Sequence, residues 1–85
     1  MKIDTSKIEN ILIKIHKKDF SLFKAVQKKI YQISQLDIVS INHFKNLRGN
    51  LSNLKRVHIG NFVLTFQIKD KVIFFEDFVH HDKAY

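Results

Sequence analysis

Histidine, arginine and tyrosine side chains in the second half of the chain are the residues best suited to chemistry. Arg56 and His58 stand two residues apart in an alternating segment, so on a β-strand both side chains leave the same face. His80 and His81 follow a third apolar segment, and Tyr85 ends the sequence. If strand pairing brings these segments together, imidazoles, a guanidinium and a phenol share one surface.

Such a set of side chains is suited to cutting RNA. The attacking 2′-hydroxyl requires a base that titrates near neutral pH, and the departing 5′-oxygen requires an acid. The phosphorane formed between these two steps requires fixed positive charge. An aromatic ring can hold a base that has been splayed out of its stack.

Each of these residues also has a plainer interpretation. His58 can be a solvent-facing polar residue on a strand, and His80-His81 can belong to a surface tail. A metal site is conceivable if these histidines combine with Asp77 or Asp82. Adjacent histidines point apart on an extended segment, however, so the sequence predicts no metal ligands and no cofactor.

Composition limits the class of protein. The 85 residues suffice for one domain, predicted over residues 1–85, and the absence of cysteine excludes disulfides and thiolate chemistry. No apolar run approaches the ~18 residues needed to span a bilayer, so we expect a cytoplasmic protein with no membrane partner. The net charge of +7 favours an anionic partner such as a nucleic acid or an acidic protein.

Hydrophobic periodicity predicts two helices in the first part of the chain. Ser6 and Glu9 fit a capping box, and the apolar residues that follow repeat at the i, i+3, i+4, i+7 spacing of one buried stripe. Asp19 can cap a second helix with a similar stripe. A short turn between them predicts an antiparallel helical hairpin. Residues 2–4 can form a short edge strand before it.

The period changes to two after a polar connection over residues 35–53. Strands are predicted over residues 56–59, 62–68 and 72–78, with Gly60-Asn61 as a tight turn between the first two. Phe62, Leu64 and Phe66 are expected to face the helices, whereas Val63 and Thr65 are expected to face outward with Arg56 and His58. The fold class is therefore α+β, with the helical hairpin on one face of a small antiparallel sheet.

The order of several short motifs resembles the RelE/ParE toxin superfamily of toxin–antitoxin modules. These motifs are Leu47-Arg48-Gly49, the segment Arg56-Val57-His58-Ile59-Gly60-Asn61-Phe62, and the ending His80-His81-Asp82-Lys83-Ala84-Tyr85. The resemblance spans most of the chain. It implies a sheet with two helices on one face, in agreement with the periodicity.

The resemblance to the RelE branch, and to its YafQ-like members, also implies an activity. Those toxins are ribosome-dependent mRNA endonucleases that cut in the A site without a metal. By position, His58 or His81 is expected to accept the 2′-hydroxyl proton, and the other histidine or Tyr85 to protonate the leaving oxygen. Arg56, together with Lys55, is expected to hold the phosphorane. RNA contacts are further expected from Arg48, Lys83 and His80.

Two departures from the family pattern leave other functions open. Val63 stands where many relatives have arginine, and His80-His81 replaces a common His-Arg pair. The alternatives are a weakened enzyme that mainly binds its antitoxin, and a ParE-like inhibitor of DNA gyrase. In each case the expected protein partner is an acidic antitoxin, in a toxin–antitoxin hetero-oligomer. The ribosome and mRNA are further partners if the chain is a nuclease.

Overall fold

Two layers, one of helices and one of strands, make up the computed structural model of the chain, which describes residues 1–44 and 53–83. The helices of these ranges are α1 (Glu9–Lys18), α2 (Phe20–Ser34) and the short α3 (Ile38–Ile41), and the strands are β1 (Lys2–Asp4), β2 (Lys55–Ile59), β3 (Phe62–Lys69) and β4 (Val72–His80). The predicted α+β class, the helical hairpin and the N-terminal strand are confirmed. Helix α3 lies in the segment for which no periodicity was found.

The four strands form one sheet in the order β1-β4-β3-β2. Strands β2, β3 and β4 are a continuous antiparallel meander, as predicted. Strand β1 pairs with β4 in parallel, so the prediction of a wholly antiparallel sheet was wrong at this edge. The physical reason is the connection: tight turns force neighbouring strands to be antiparallel, whereas a long crossover that contains helices permits parallel pairing.

The start of the first helix differs from the predicted capping box. Ser6 donates its backbone N–H and its hydroxyl to Asp4 Oδ1, at 2.9 and 2.6 Å, and does not cap the helix. Ser6–Ile8 form a 3-10 turn, and α1 begins at Glu9. Asp4 competes for the Ser6 groups because an aspartate two residues away can form an Asx-type turn. Asp19 caps α2 as predicted, since its carboxylate accepts the Leu22 N–H at 3.0 Å.

The hydrophobic core lies between α2 and the sheet. Ile8, Val26, Ile30 and Ile33 from the helical part contact a set of buried sheet residues: Ile59, Leu64, Phe66, Ile73, Phe75 and Phe78. Ile41 of α3 closes the cluster. Leu64 and Phe66 face the helices as predicted.

Strand β3 is buried on its other face as well. Val63 is 3% and Thr65 1% exposed, so the prediction that these two side chains face solvent was wrong. Because β3 is an inner strand with partners on both sides, side chains of β2 and β4 flank these two residues. Among the described residues, no helix has the length and apolar character needed to cross a membrane.

Candidate active site

Arg56 and His58 lie on the same face of the edge strand β2. Arg56 pairs with Thr65, and His58 pairs with Val63; these in turn pair with Asp77 and Val79 of β4. Directly paired residues project from the same side of a sheet. We call this side, which carries Arg56, His58, Val63, Thr65, Asp77 and Val79, the Arg56 face. His58 is exposed on it and Arg56 is partly buried.

The glycine of the β2–β3 turn shapes the end of this face. Gly60 has a φ of +59°, in the left-handed region that favours glycine. The turn presents the carbonyl oxygen of Asn61 to the residue that follows β4. The predicted Gly60-Asn61 turn is confirmed.

His81 is held at this turn by two contacts to one oxygen. Its backbone N–H donates to Asn61 O at 2.8 Å, and its ring Nδ1 lies 3.1 Å from the same oxygen. The other ring nitrogen, Nε2, lies 2.9 Å from Asp82 Oδ1. A neutral imidazole has a single N–H, so only a doubly protonated ring donates to both oxygens at once. The side chain remains 50% exposed.

His80 faces away from Arg56 and His58. It pairs with Phe62, and its ring packs edge-on against the Phe62 ring at a centroid distance of 5.3 Å. Phe62 contacts the core, so His80 lies on the helix side of the sheet. The His80 and His81 rings are nevertheless only 4.6 Å apart, because a 3-10 turn begins at His81. The RNA contact expected of His80 stays a prediction.

Lys55 also points to the helix side, since it pairs with the core residue Phe66. It is 9% exposed and is already in contact with another group of the chain. Because Lys55 lies on the helix side, it does not share the Arg56 face, as the expected contact with the phosphorane requires. Lys83 is exposed in the 3-10 turn. Arg48 and Tyr85 lie outside the described residues, and so does the Leu47-Arg48-Gly49 motif. Their expected roles stay predictions.

A histidine that sequence reasoning passed over lies beside the site. His43 and Phe44 line a surface pocket together with Arg56, Val57 and His58. The Phe44 ring packs edge-on against Phe66 at 5.6 Å, which anchors this segment to the sheet. No sequence signal predicted the position, because residues 35–53 show no period.

Comparison with known proteins adds relatives from two archaea. The chain is 42% identical over 81 residues to a Methanocaldococcus jannaschii protein named "Putative toxin RelE4", and the match covers 92% of this chain and 82% of the relative. It is 32% identical over 83 residues to an uncharacterized protein of Methanosarcina mazei, covering 94% and 92%. No family model matches the chain.

The fold has a counterpart among solved structures. The crystal structure of YafQ from E. coli strain BL21(DE3) matches with a TM-score of 0.60 over 95% of this chain and 93% of that one. At 16% identity this likeness shows the fold alone. The sequence relationship shows more, because the relative with the RelE name covers nearly the whole chain. By that relationship, the chain belongs to the RelE family of the RelE/ParE toxin superfamily.

Proposed function

We propose that this chain is the toxin of a type II toxin–antitoxin pair and that it cleaves mRNA on the ribosome. Membership of the RelE family supports the role of toxin. The observation that carries the nuclease proposal is the arrangement of β2 and the turn that follows it. Arg56 and His58 lie on one face of β2, and the hydrogen bond from His81 N to Asn61 O ties His81 to the adjoining turn.

The spacing of these residues fits a bound phosphodiester. His58 and Val79 lie two strands apart in one row, and His81 is two residues beyond Val79. Strand spacings of ~4.8 Å and rises of ~3.3 Å per residue put the Cα atoms of His58 and His81 roughly 12 Å apart. Two imidazoles that point toward each other across this distance leave room for one phosphate group between them.

The surroundings of the two histidines favour different roles. Nδ1 and Nε2 of His81 both lie near oxygen acceptors, which suits a ring that carries a proton to give away. We therefore assign His81 the protonation of the 5′-oxygen. His58 then accepts the 2′-hydroxyl proton, and the Arg56 guanidinium stabilises the phosphorane. Tyr85, as an aromatic ring that can hold a splayed base, orients the nucleotide.

The charge of the molecule supports anionic partners. Five lysines on the two long helices are exposed: Lys14, Lys17, Lys18, Lys24 and Lys28. Such side chains can contact phosphates of ribosomal RNA, and binding should then weaken steeply with salt. The same charge suits an acidic antitoxin, which we propose as the protein partner.

The products of the reaction test this proposal. Purified chain added to translating ribosomes should leave a 2′,3′-cyclic phosphate or 3′-phosphate on one fragment and a 5′-hydroxyl on the other. A 5′-phosphate would contradict the mechanism. If the chain is toxic but leaves mRNA intact and causes gyrase-dependent DNA breaks, it is a gyrase inhibitor and not a nuclease. If its expression without the antitoxin is harmless, antitoxin binding is the only function that remains.

A further inference from the structure

The end of β4 brings three potential metal ligands together. One ligand atom from each of His80, His81 and Asp82 lies within 4.8 Å of the other two. Two adjacent histidines on an extended strand would point apart, which is the expectation from sequence. Here the strand ends at His80 and a 3-10 turn starts at His81, so the ring planes are only 31° apart.

The distances between the ligand atoms suit a small cation. Asp82 Oδ1 lies 2.9 Å from His81 Nε2, and Asp82 Oδ2 lies 3.5 Å from His80 Nδ1. Metal–nitrogen bonds of ~2.0–2.1 Å in a tetrahedron place neighbouring ligand atoms ~3.3–3.4 Å apart. The two observed spacings bracket that value, although they end on different oxygens of the carboxylate. A nitrogen of each ring lies within 4.8 Å of the other, so side-chain rotation brings all three ligands to one ion.

The hydrogen bonds around the cluster orient the rings, and one of them must be replaced by the metal. His81 Nδ1 faces Asn61 O, and such a carbonyl contact orients a ligating imidazole so that Nε2 points at the metal. His80 Nδ1 accepts the Asp82 N–H at 3.3 Å, so it carries a lone pair and no proton. A bound metal takes this lone pair and displaces the Asp82 N–H to water.

We propose that His80, His81 and Asp82 bind a divalent transition metal of the zinc class. Two imidazoles and a carboxylate suit such ions, whereas Mg²⁺ and Ca²⁺ prefer oxygen ligands. Three protein ligands leave a fourth position for water. The metal takes the place of the contact between His81 Nε2 and Asp82 Oδ1, and a proton carried on that nitrogen passes to water.

A second consequence rests on the proposed function. His81 Nε2 is the atom that faces the metal, so a bound ion withdraws the proposed proton donor from the reaction. Zinc would then inhibit RNA cleavage while leaving the fold intact. Metal binding itself does not depend on whether the chain cuts RNA.

Zinc binding by the untagged full chain tests the site in the absence of RNA. Zinc is titrated against a chromophoric indicator for the parent chain and for His80→Ala, Asp82→Ala and the control His16→Ala. His16 is also an exposed histidine but packs against Phe20 and Phe23 on the helices. We expect one zinc per parent chain, at least tenfold weaker binding in the first two variants, and a change below twofold in the control.

Circular dichroism of each variant establishes that the fold is kept. The Asp82 side chain is 74% exposed, so its removal should not affect folding. Losses below tenfold in both His80→Ala and Asp82→Ala, or an equal loss in the control, would overturn the proposal. Because RNA is absent from this titration, failure of the nuclease proposal leaves its outcome unaffected.

Discussion

The backbone N–H of His81 donates to the carbonyl oxygen of Asn61 over 2.8 Å, twenty residues back along the chain. This bond joins the residue after β4 to the turn between β2 and β3. It places the backbone of His81 beside the turn that follows the strand of Arg56 and His58. The candidate site therefore depends on the shape of one two-residue turn.

Substitution of Gly60 should disturb this turn through backbone strain. A Cβ added at Gly60 meets nothing within 4 Å, so steric clash is not the cause. The φ of +59° costs an alanine about 1–2 kcal/mol, whereas asparagine tolerates it better. We expect Gly60→Ala to lower the free energy of unfolding by about that amount and Gly60→Asn to lower it less, measured by urea denaturation. Equal stability of all three chains would contradict this explanation.

The proposed division of labour between the histidines predicts a chemical rescue. If His81 protonates the leaving oxygen, an RNA whose scissile 5′-oxygen is replaced by sulfur needs no such proton, because a thiolate leaves without one. We expect His81→Ala to cut this RNA nearly as fast as the parent chain does. His58→Ala should stay slow on both substrates, since the attacking hydroxyl is unchanged.

The rescue experiment compares the two variants on both RNAs by single-turnover cleavage on ribosomes. Rescue of His58→Ala in place of His81→Ala would reverse the two assignments. Rescue of neither variant would show that the leaving group is protonated by another residue.

Truncation of the central core ring should cost much of the stability of so small a domain. Phe66 is fully buried and contacts the Phe44 and Phe75 rings. Phe66→Ala should lose about 3–5 kcal/mol of unfolding free energy, out of a total of about 5–15 for typical domains. Tyr31→Ala is the matched control, because Tyr31 is 65% exposed and should change stability by less than about 0.5 kcal/mol. Similar losses in both would be inconsistent with this core.

Periodicity predicted the helices, the meander and the inward-facing residues. A buried helical stripe or an alternating strand face is determined by residues that are close together in the sequence. It failed where partners distant in sequence decide the outcome. The parallel pairing of β1 and the burial of Val63 and Thr65 depend on neighbouring strands. Among site residues, the shared face of Arg56 and His58 followed from their spacing.

Other parts of the site could not be predicted in this way. Side chains alternate between the two faces of β2, so Lys55 points to the helix side only if Arg56 points away from it. The sequence alone does not decide which of the two faces the core. The short distance between the His80 and His81 rings follows from the 3-10 turn. His43 lies beside the site, but it belongs to a segment whose sequence shows no hydrophobic period.

Acid should weaken the contact at the start of the helical hairpin. Hydrogen bonds from the Ser6 hydroxyl and the Ser6 N–H hold the pKa of Asp4 below its ordinary value of 3.8. A carboxyl whose pKa is lower in the folded state than in the unfolded state stabilises the fold above the unfolded pKa. That contribution is lost as pH falls through the lower, folded pKa.

Removing the Ser6 hydroxyl tests this contact directly. In Ser6→Ala, the pKa of Asp4 should rise toward its ordinary value, because the largest of the hydrogen bonds that lower it is gone. An NMR titration of the side-chain carboxyl between about pH 2 and 6 measures the change. An unchanged Asp4 pKa in Ser6→Ala would mean that the hydroxyl does not donate to Asp4 in solution.

Toeprinting of mRNA on translating ribosomes tests the central claim most directly. The parent chain should produce cleavage in the A site, and His58→Ala and His81→Ala should each reduce its rate by about 10²–10⁴-fold. His16→Ala, an exposed histidine remote in sequence from the site, should cut within twofold of the parent rate. Full cleavage by both His58→Ala and His81→Ala would contradict the assignment of these residues to the reaction.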